Sequence, residues 1–325
     1  MKTIGILTSG GDAPGMNAAI RAVTRAALSA GMEVKGIFRG FHGLMYPHIE
    51  ELTYKSVCGI IERGGTILYT ARCPEFNSVE GVQKAVKVCV DEGIEGIVVI
   101  GGDGSFRGAK DLSNAGVPCV GVPATIDNDV SSTQYTIGFD TAMNTAMELI
   151  DKLRDTSQSH DRCSVVEVMG RKAGDIALHT GIACGATSIL TAENKEYTVE
   201  TAIKGIESTK QGYQRHFIVV VSEGFTAESK TDAFEIARQI EAATGVESRA
   251  TILGHVQRGG TPTVRDRVAA SRLGHRAFEL ISEGKGNRVV GFSGNAIVDF
   301  EINEALAMPK KCDVDLYEVA KVISF

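Results

Sequence analysis

The chain has no tryptophan, only 7 prolines, and 12 Phe and 7 Tyr among 325 residues. Proline scarcity and the absence of low-complexity tracts argue against a linker-rich or extended protein. The seven cysteines, at 58, 73, 89, 119, 163, 184 and 312, are odd in number and form no C-x-x-C pair. This excludes the usual zinc spacing and disulfide framework and suits reduced thiols in a cytoplasmic protein. No apolar run approaches the roughly 18 residues of a membrane span. The opening residues MKTIGILTSGGDAPG carry no apolar h-region, so no secretory signal is expected there. No excess of positive charge exists either. The formal net charge is -6, which argues against nucleic acid or an anionic membrane as partner. Finally, no G-x-x-x-x-G-K-[ST] occurs anywhere, which disfavours a P-loop NTPase.

What the chain has in abundance is glycine, 37 residues without a collagen period. Glycine at that level suits many sharp turns and close backbone approach to a ligand. Short Val/Ile-rich runs alternate with amphipathic stretches almost throughout. Strands are expected at 3–8, 33–38, 94–100, 119–122, 164–168, 188–190, 217–222, 251–253 and 288–292. Helices are expected at 16–30, 79–92, 105–114, 141–155, 172–183, 199–210, 232–244 and 264–283. Continuous apolar strands separated by helices predict α/β architecture with mainly parallel sheets buried on both faces. At this length about two domains are expected, with a break near Gly138.

In such folds ligands bind at the carboxyl ends of strands, and the glycines gather in those turns. The first turn, Ser9 to Asn17, places Gly10 and Gly11 before a helix, so its N–H groups could face an anion. The second is Gly101-Gly-Asp-Gly-Ser-Phe-Arg-Gly108. A bare carboxylate at Asp103 would repel phosphate, whereas Mg²⁺ between them reverses the sign; the plainer reading makes Asp103 an N-cap for a helix starting at Ser105. The third is Pro123-Ala-Thr-Ile-Asp-Asn-Asp-Val130. In an extended segment Thr125, Asp127 and Asp129 would point one way. One carboxylate could then accept a proton from a substrate hydroxyl, and an Asx-rich turn without chemistry is the alternative. The fourth feature is a basic set, Arg162, Arg171, Arg249 and Arg258 with His255, placed near strand ends in an acidic protein. Arginine binds phosphate with a planar fork.

Together TSGGDAPGMNAAIR, RGGTIL, GGDGS, TIDND, GFDTA, the segment DTSQSHDRCSVVEVMGRKAGD, RATILGHVQRGG and DR-ASRLG resemble bacterial ATP-dependent 6-phosphofructokinase, in order from about residue 2 to 295. The resemblance implies two Rossmann-like three-layer αβα domains with mainly parallel sheets and an active site in the cleft between them. It implies a larger ATP-binding domain (1–138 plus about 257–306) and a smaller fructose 6-phosphate domain (139–256 plus about 307–325). The implied reaction moves the γ-phosphoryl group of ATP to the 1-hydroxyl of fructose 6-phosphate, the committed step of glycolysis, with Mg²⁺. By the same resemblance Gly11, Arg72, Cys73, Gly102, Asp103, Gly104 and Ser105 line ATP, and Asp103 serves the metal. Asp127 is the base, helped by Thr125 and Asp129, and Arg171 stabilises the transferring group. Met169, Gly170, Glu223, His255 and Arg258 hold the sugar phosphate, while Arg162 and Arg249 reach in from a neighbouring subunit of a homotetramer. Arg21, Arg25, Arg154 and Arg215 match an effector site for an anion. Thr187, Tyr54 and residues 211–214 depart from the family's pattern there. Pyrophosphate-using relatives tend to carry Asp after GGD and Lys before TIDND; here Gly104 and Ala124 leave room for a nucleotide. Three alternatives stay open: a pyrophosphate-dependent kinase, a kinase of another acceptor such as NAD, and an inactive nucleotide-binding regulator.

Overall fold

The computed structural model describes residues 1–210, 215–310 and 313–323; positions 211–214 and Cys312 lie outside them. The described chain divides into two compact units. The first comprises Met1–Ile126, Val130–Thr141 and Arg258–Lys310, and the second Asp127–Asp129, Ala142–Gln257 and Lys311–Phe325.

The first unit is built on a seven-stranded sheet. Its strands are β1 (Thr3–Thr8), β2 (Glu33–Ile37), β3 (Ile49–Glu51), β4 (Gly96–Gly101), β5 (Cys119–Pro123), β10 (Arg288–Ser293) and β11 (Ala296–Glu301), and their order is β11-β10-β5-β4-β1-β2-β3. The second unit holds β6 (Cys163–Val168), β7 (Ser188–Leu190), β8 (Phe217–Ser222) and β9 (Ser248–Ile252) in the order β7-β8-β6-β9. Every pairing is parallel except β2 with β3 and β10 with β11. β1, β4, β5 and β8 are buried at every residue. Such strands need cover on both faces, which is why they read as continuous apolar runs.

In the first sheet the chain runs from β1 outward to β2 and back to β4, so β1 and β4 flank a topological switch point. Three of the glycine and aspartate turns follow β1, β4 and β5, which are neighbours. In the second sheet, β8, β6 and β9 are neighbours as well, and the segments carrying Glu223, Met169 to Arg171 and His255 follow them.

Several boundaries differ from expectation. The helix expected from 105 begins at Asp103, with Gly102 (φ −106°, ψ −165°) as its N-cap, so Asp103 is the first helical residue and not the cap. The helix expected from 172 begins at Asp175, because Gly170 (φ 140°) and Arg171 (φ 60°) are left-handed. Residues 254–258 form a 3-10 turn, and β9 starts at Ser248 rather than 251. The segment after β5 is not extended. Ile126 and Asp127 turn and Asn128 takes φ 49°, so period-two alternation does not align Thr125, Asp127 and Asp129.

Candidate active site

The turn after β1 carries two glycines at positive φ, Gly10 (88°) and Gly15 (107°). Thr70 Oγ1 donates to the Gly10 carbonyl at 2.7 Å, which ties the 63–70 loop to this turn. Asn17 fixes the same loop more deeply. Its amide nitrogen donates to the carbonyls of Arg63 (3.1 Å) and Gly64 (3.2 Å), and its Oδ1 accepts from Ile67 N–H at 2.7 Å. A side chain at Gly11 would lie 2.6 Å from Arg258 Nη1, which also donates to the Asp12 carbonyl at 3.2 Å. Thus Arg258, which the resemblance gives to the sugar phosphate, lies on the turn expected to meet ATP.

After β4, Gly101 is pressed against Ser105 and the Ser9 carbonyl, where a Cβ would sit 2.4 Å from each. Its neighbours are the opposite. Gly104 has nothing within 4 Å of the place a Cβ would take, and Gly102 meets only Thr125, at 3.9 Å. The turn therefore presents bare backbone on a helix N-terminus, with Ser105 buried and Asp103 half-buried. Among the described residues no group of three or more His, Cys, Asp or Glu could enclose a metal. One carboxylate, Asp103, beside an open glycine turn fits Mg²⁺, which takes few protein ligands and completes its shell with ligand oxygens and water. Arg72 is exposed and Cys73 half-buried, its thiol 3.6 Å from Glu75 Oε2 and raised in pKa chiefly by burial.

After β5, Thr125 accepts at its carbonyl from Thr136 Oγ1 (2.7 Å). Asp127 is 5% exposed. In the second unit Asp129 faces Arg171 Nη1 at 3.7 Å, and the arginine side chain is 74% exposed. An exposed pair of this kind is weak and leaves Arg171 available to another anion. The left-handed turn Gly170-Arg171 is held from outside. Glu223 Oε1 accepts from Gly170 N–H at 3.2 Å and from Arg171 N–H, while Gln257 Oε1 accepts from Met169 N–H at 3.3 Å. Asn17 and Gln257 were not singled out in the sequence; both act on backbone, which leaves no pattern of spacing. His255 is exposed.

Arg162 and Arg249 share one carboxylate. Glu247 Oε2 lies 2.8 Å from Arg162 Nε and Oε1 lies 2.7 Å from Arg249 Nη2. Hydrogen bonds from Arg162 and then Arg249 hold the Glu247 carboxyl below its ordinary range. Of the effector candidates, Arg21 and Arg25 line a cavity of about 630 Å³ with Tyr54, Ser271 and His275, and the Arg25 guanidinium lies 5.2 Å from the Tyr54 ring centre. Arg154 and Arg215 belong to the other unit, where Arg154 donates to the Cys184 carbonyl and Arg215 lies 3.9 Å from Asp161.

Parallel strands ending in open glycine turns, with arginines and one or two carboxylates beside them, define an α/β protein suited to phosphorylated ligands. The chain belongs to the phosphofructokinase family, whose profile, described as Phosphofructokinase, matches residues 3–281. It is 55% identical over 325 residues to ATP-dependent 6-phosphofructokinase of Clostridium tetani and 54% identical over 324 residues to that of Bacillus cytotoxicus, each match covering 100% of both chains. Among solved structures, phosphofructokinase from Saccharomyces cerevisiae superposes with a TM-score of 0.91 at 30% identity, over 100% of this chain and 50% of the yeast chain, so this chain spans half the yeast length.

Proposed function

We propose that the protein transfers the γ-phosphoryl group of ATP to the 1-hydroxyl of fructose 6-phosphate. The carrying observation is full-length similarity to ATP-dependent 6-phosphofructokinases, joined to a cradle in which Gly104 and Ala124 keep small the two positions where charge would favour pyrophosphate. Gly11, Arg72, Cys73, Gly102, Gly104 and Ser105 receive ATP, with backbone N–H groups on its phosphates. Asp103 holds Mg²⁺, which when bound neutralises charge on the phosphates. Asp127 accepts the proton of the 1-hydroxyl, Thr125 and Asp129 orient the acceptor, and Arg171 meets charge on the transferring group. Met169, Gly170, Glu223, His255 and Arg258 hold the sugar phosphate. A coupled assay with fructose 6-phosphate should give turnover with Mg-ATP and at least about 100-fold lower kcat/KM with pyrophosphate. Equal use of pyrophosphate would overturn the donor assignment.

The enzyme works in the cytoplasm as a homotetramer whose sites are completed by Arg162 and Arg249 of a neighbouring subunit. The pairing of both arginines on one exposed glutamate supports this, because a phosphate dianion can replace that single carboxylate. Mixing two inactive variants, Asp127→Ser and Arg162→Ala, should restore activity in hybrid oligomers; none in demonstrably mixed oligomers would contradict sharing. An anionic effector binds at Arg21 and Arg25, and Arg154 and Arg215 are the further effector candidates, in the other unit. Loss of charge at Arg21 and Arg25 should remove the response to phosphorylated effectors, and an intact response would place the site elsewhere.

A further inference from the structure

Asp266 lies outside every turn described above and is fully buried. It lies in the first turn of the helix Val264–Ser282, whose N-cap is Thr263, and its carboxylate accepts four hydrogen bonds from one short segment. The donors are Tyr135 Oη, Gly138 N–H (2.7 Å), Thr141 N–H (2.8 Å) and Thr141 Oγ1 (2.5 Å). Thr141 Oγ1 in turn accepts from Thr263 N–H at 3.0 Å.

That segment touches two of the motif turns. Ile137 N–H donates to the Pro123 carbonyl (3.0 Å), Thr136 Oγ1 donates to the Thr125 carbonyl (2.7 Å), and Ala124 forms a parallel bridge with Ile137. On its other side, Gly15 packs so closely that a Cβ there would be 2.6 Å from Ile137 Cγ2, and a Cβ on Gly138 would be 2.7 Å from Ala13 Cβ. The helix that carries Asp266 follows Arg258 after only a few residues, and Arg258 donates to the Asp12 carbonyl. All these residues belong to the first unit.

A buried carboxylate is costly, and an apolar replacement would leave two backbone N–H groups unpaired. Aspartate is also chemically selective here. Ionised, it only accepts, whereas an asparagine amide would turn N–H₂ toward two of the four donors. We propose that Asp266 is a positioning residue for phosphoryl transfer: through the 135–141 segment it sets the Thr125 strand end and the 11–15 turn relative to each other. It touches no substrate. The proposal rests on the site assignment above, since Asp127 follows Thr125 by two residues.

The test compares Asp266→Asn, Tyr135→Phe, Thr141→Val and Thr141→Ser in the full enzyme. Steady-state kinetics would be measured well below each Tm, with folding checked by circular dichroism. A misplacement of under an ångström is expected to cut kcat by about 30-fold in Asp266→Asn and about 10-fold in Thr141→Val, with KM for fructose 6-phosphate within about threefold. Thr141→Ser restores the hydroxyl and should return kcat to within about twofold of the parent. If Asp266→Asn and Thr141→Val lose Tm but keep the parental kcat while folded, Asp266 is only structural and the proposal fails. Should Asp266→Asn not fold, the Thr141 pair decides alone. Asp127→Ser, assayed alongside, separates the two readings. An active Asp127→Ser would unseat the base assignment whatever the Asp266 series does, whereas an inactive Asp127→Ser beside a fast Asp266 series would sink the positioning role alone.

Discussion

Asp127→Ser is expected to lower kcat by about 10²- to 10⁴-fold, the usual contribution of a positioned general base, with KM for fructose 6-phosphate changed by no more than about fivefold. Asp127 is 5% exposed and sits where the chain turns after β5, one residue before the left-handed Asn128. A carboxylate there is short and fixed, so it can take one proton from a hydroxyl without swinging away. Serine keeps a small polar group in the same volume but is far too weak a base. Lost kcat in a variant that still folds by circular dichroism is what separates this outcome from simple misfolding. Unchanged kcat in purified Asp127→Ser would remove Asp127 from the chemistry.

The second large effect is expected at Gly104. Nothing lies within 4 Å of the position its Cβ would take, and its φ is not in the left-handed region that favours glycine. Gly104→Asp should therefore leave Tm within about 2 °C of the parent, as surface substitutions away from packed features usually do. The new carboxylate would stand in the first turn of the helix Asp103–Asn114, beside Asp103, in the space assigned to the ATP phosphates. Two like charges at close range to a polyphosphate should reduce kcat/KM for ATP at least about 100-fold, or about 2.7 kcal/mol. Titration of ATP against the folded variant measures this directly. A normal KM for ATP in Gly104→Asp would show that the phosphates pass elsewhere.

Much of the frame was legible because burial writes itself into composition. β1, β4, β5 and β8 are covered on both faces, and each appears as an unbroken apolar run. β3 and β11 escaped because edge strands carry mixed sequences such as Ile49-Glu-Glu51 and remain partly exposed. The turns were found because glycine marks them, but their shapes were harder to read. The bend at Asn128 had a local signal, since asparagine tolerates the left-handed region. Arg171 had none. Its positive φ is held because its N–H donates to the carboxylate of Glu223, 52 residues away, and strain imposed at such a distance leaves no trace in the turn itself. Asp266 was hidden for the same reason. It stood in the motif DR-ASRLG, but its partners are 125 to 131 residues earlier.

The most direct measurement follows the terminal phosphoryl group itself. ATP labelled at the γ-phosphorus would be mixed with the enzyme, Mg²⁺ and fructose 6-phosphate, and the products separated within the first turnovers. The account predicts that the label appears at carbon 1 of fructose 1,6-bisphosphate, in step with ADP. Label released as inorganic phosphate, retained in ATP, or carried to another acceptor would contradict it.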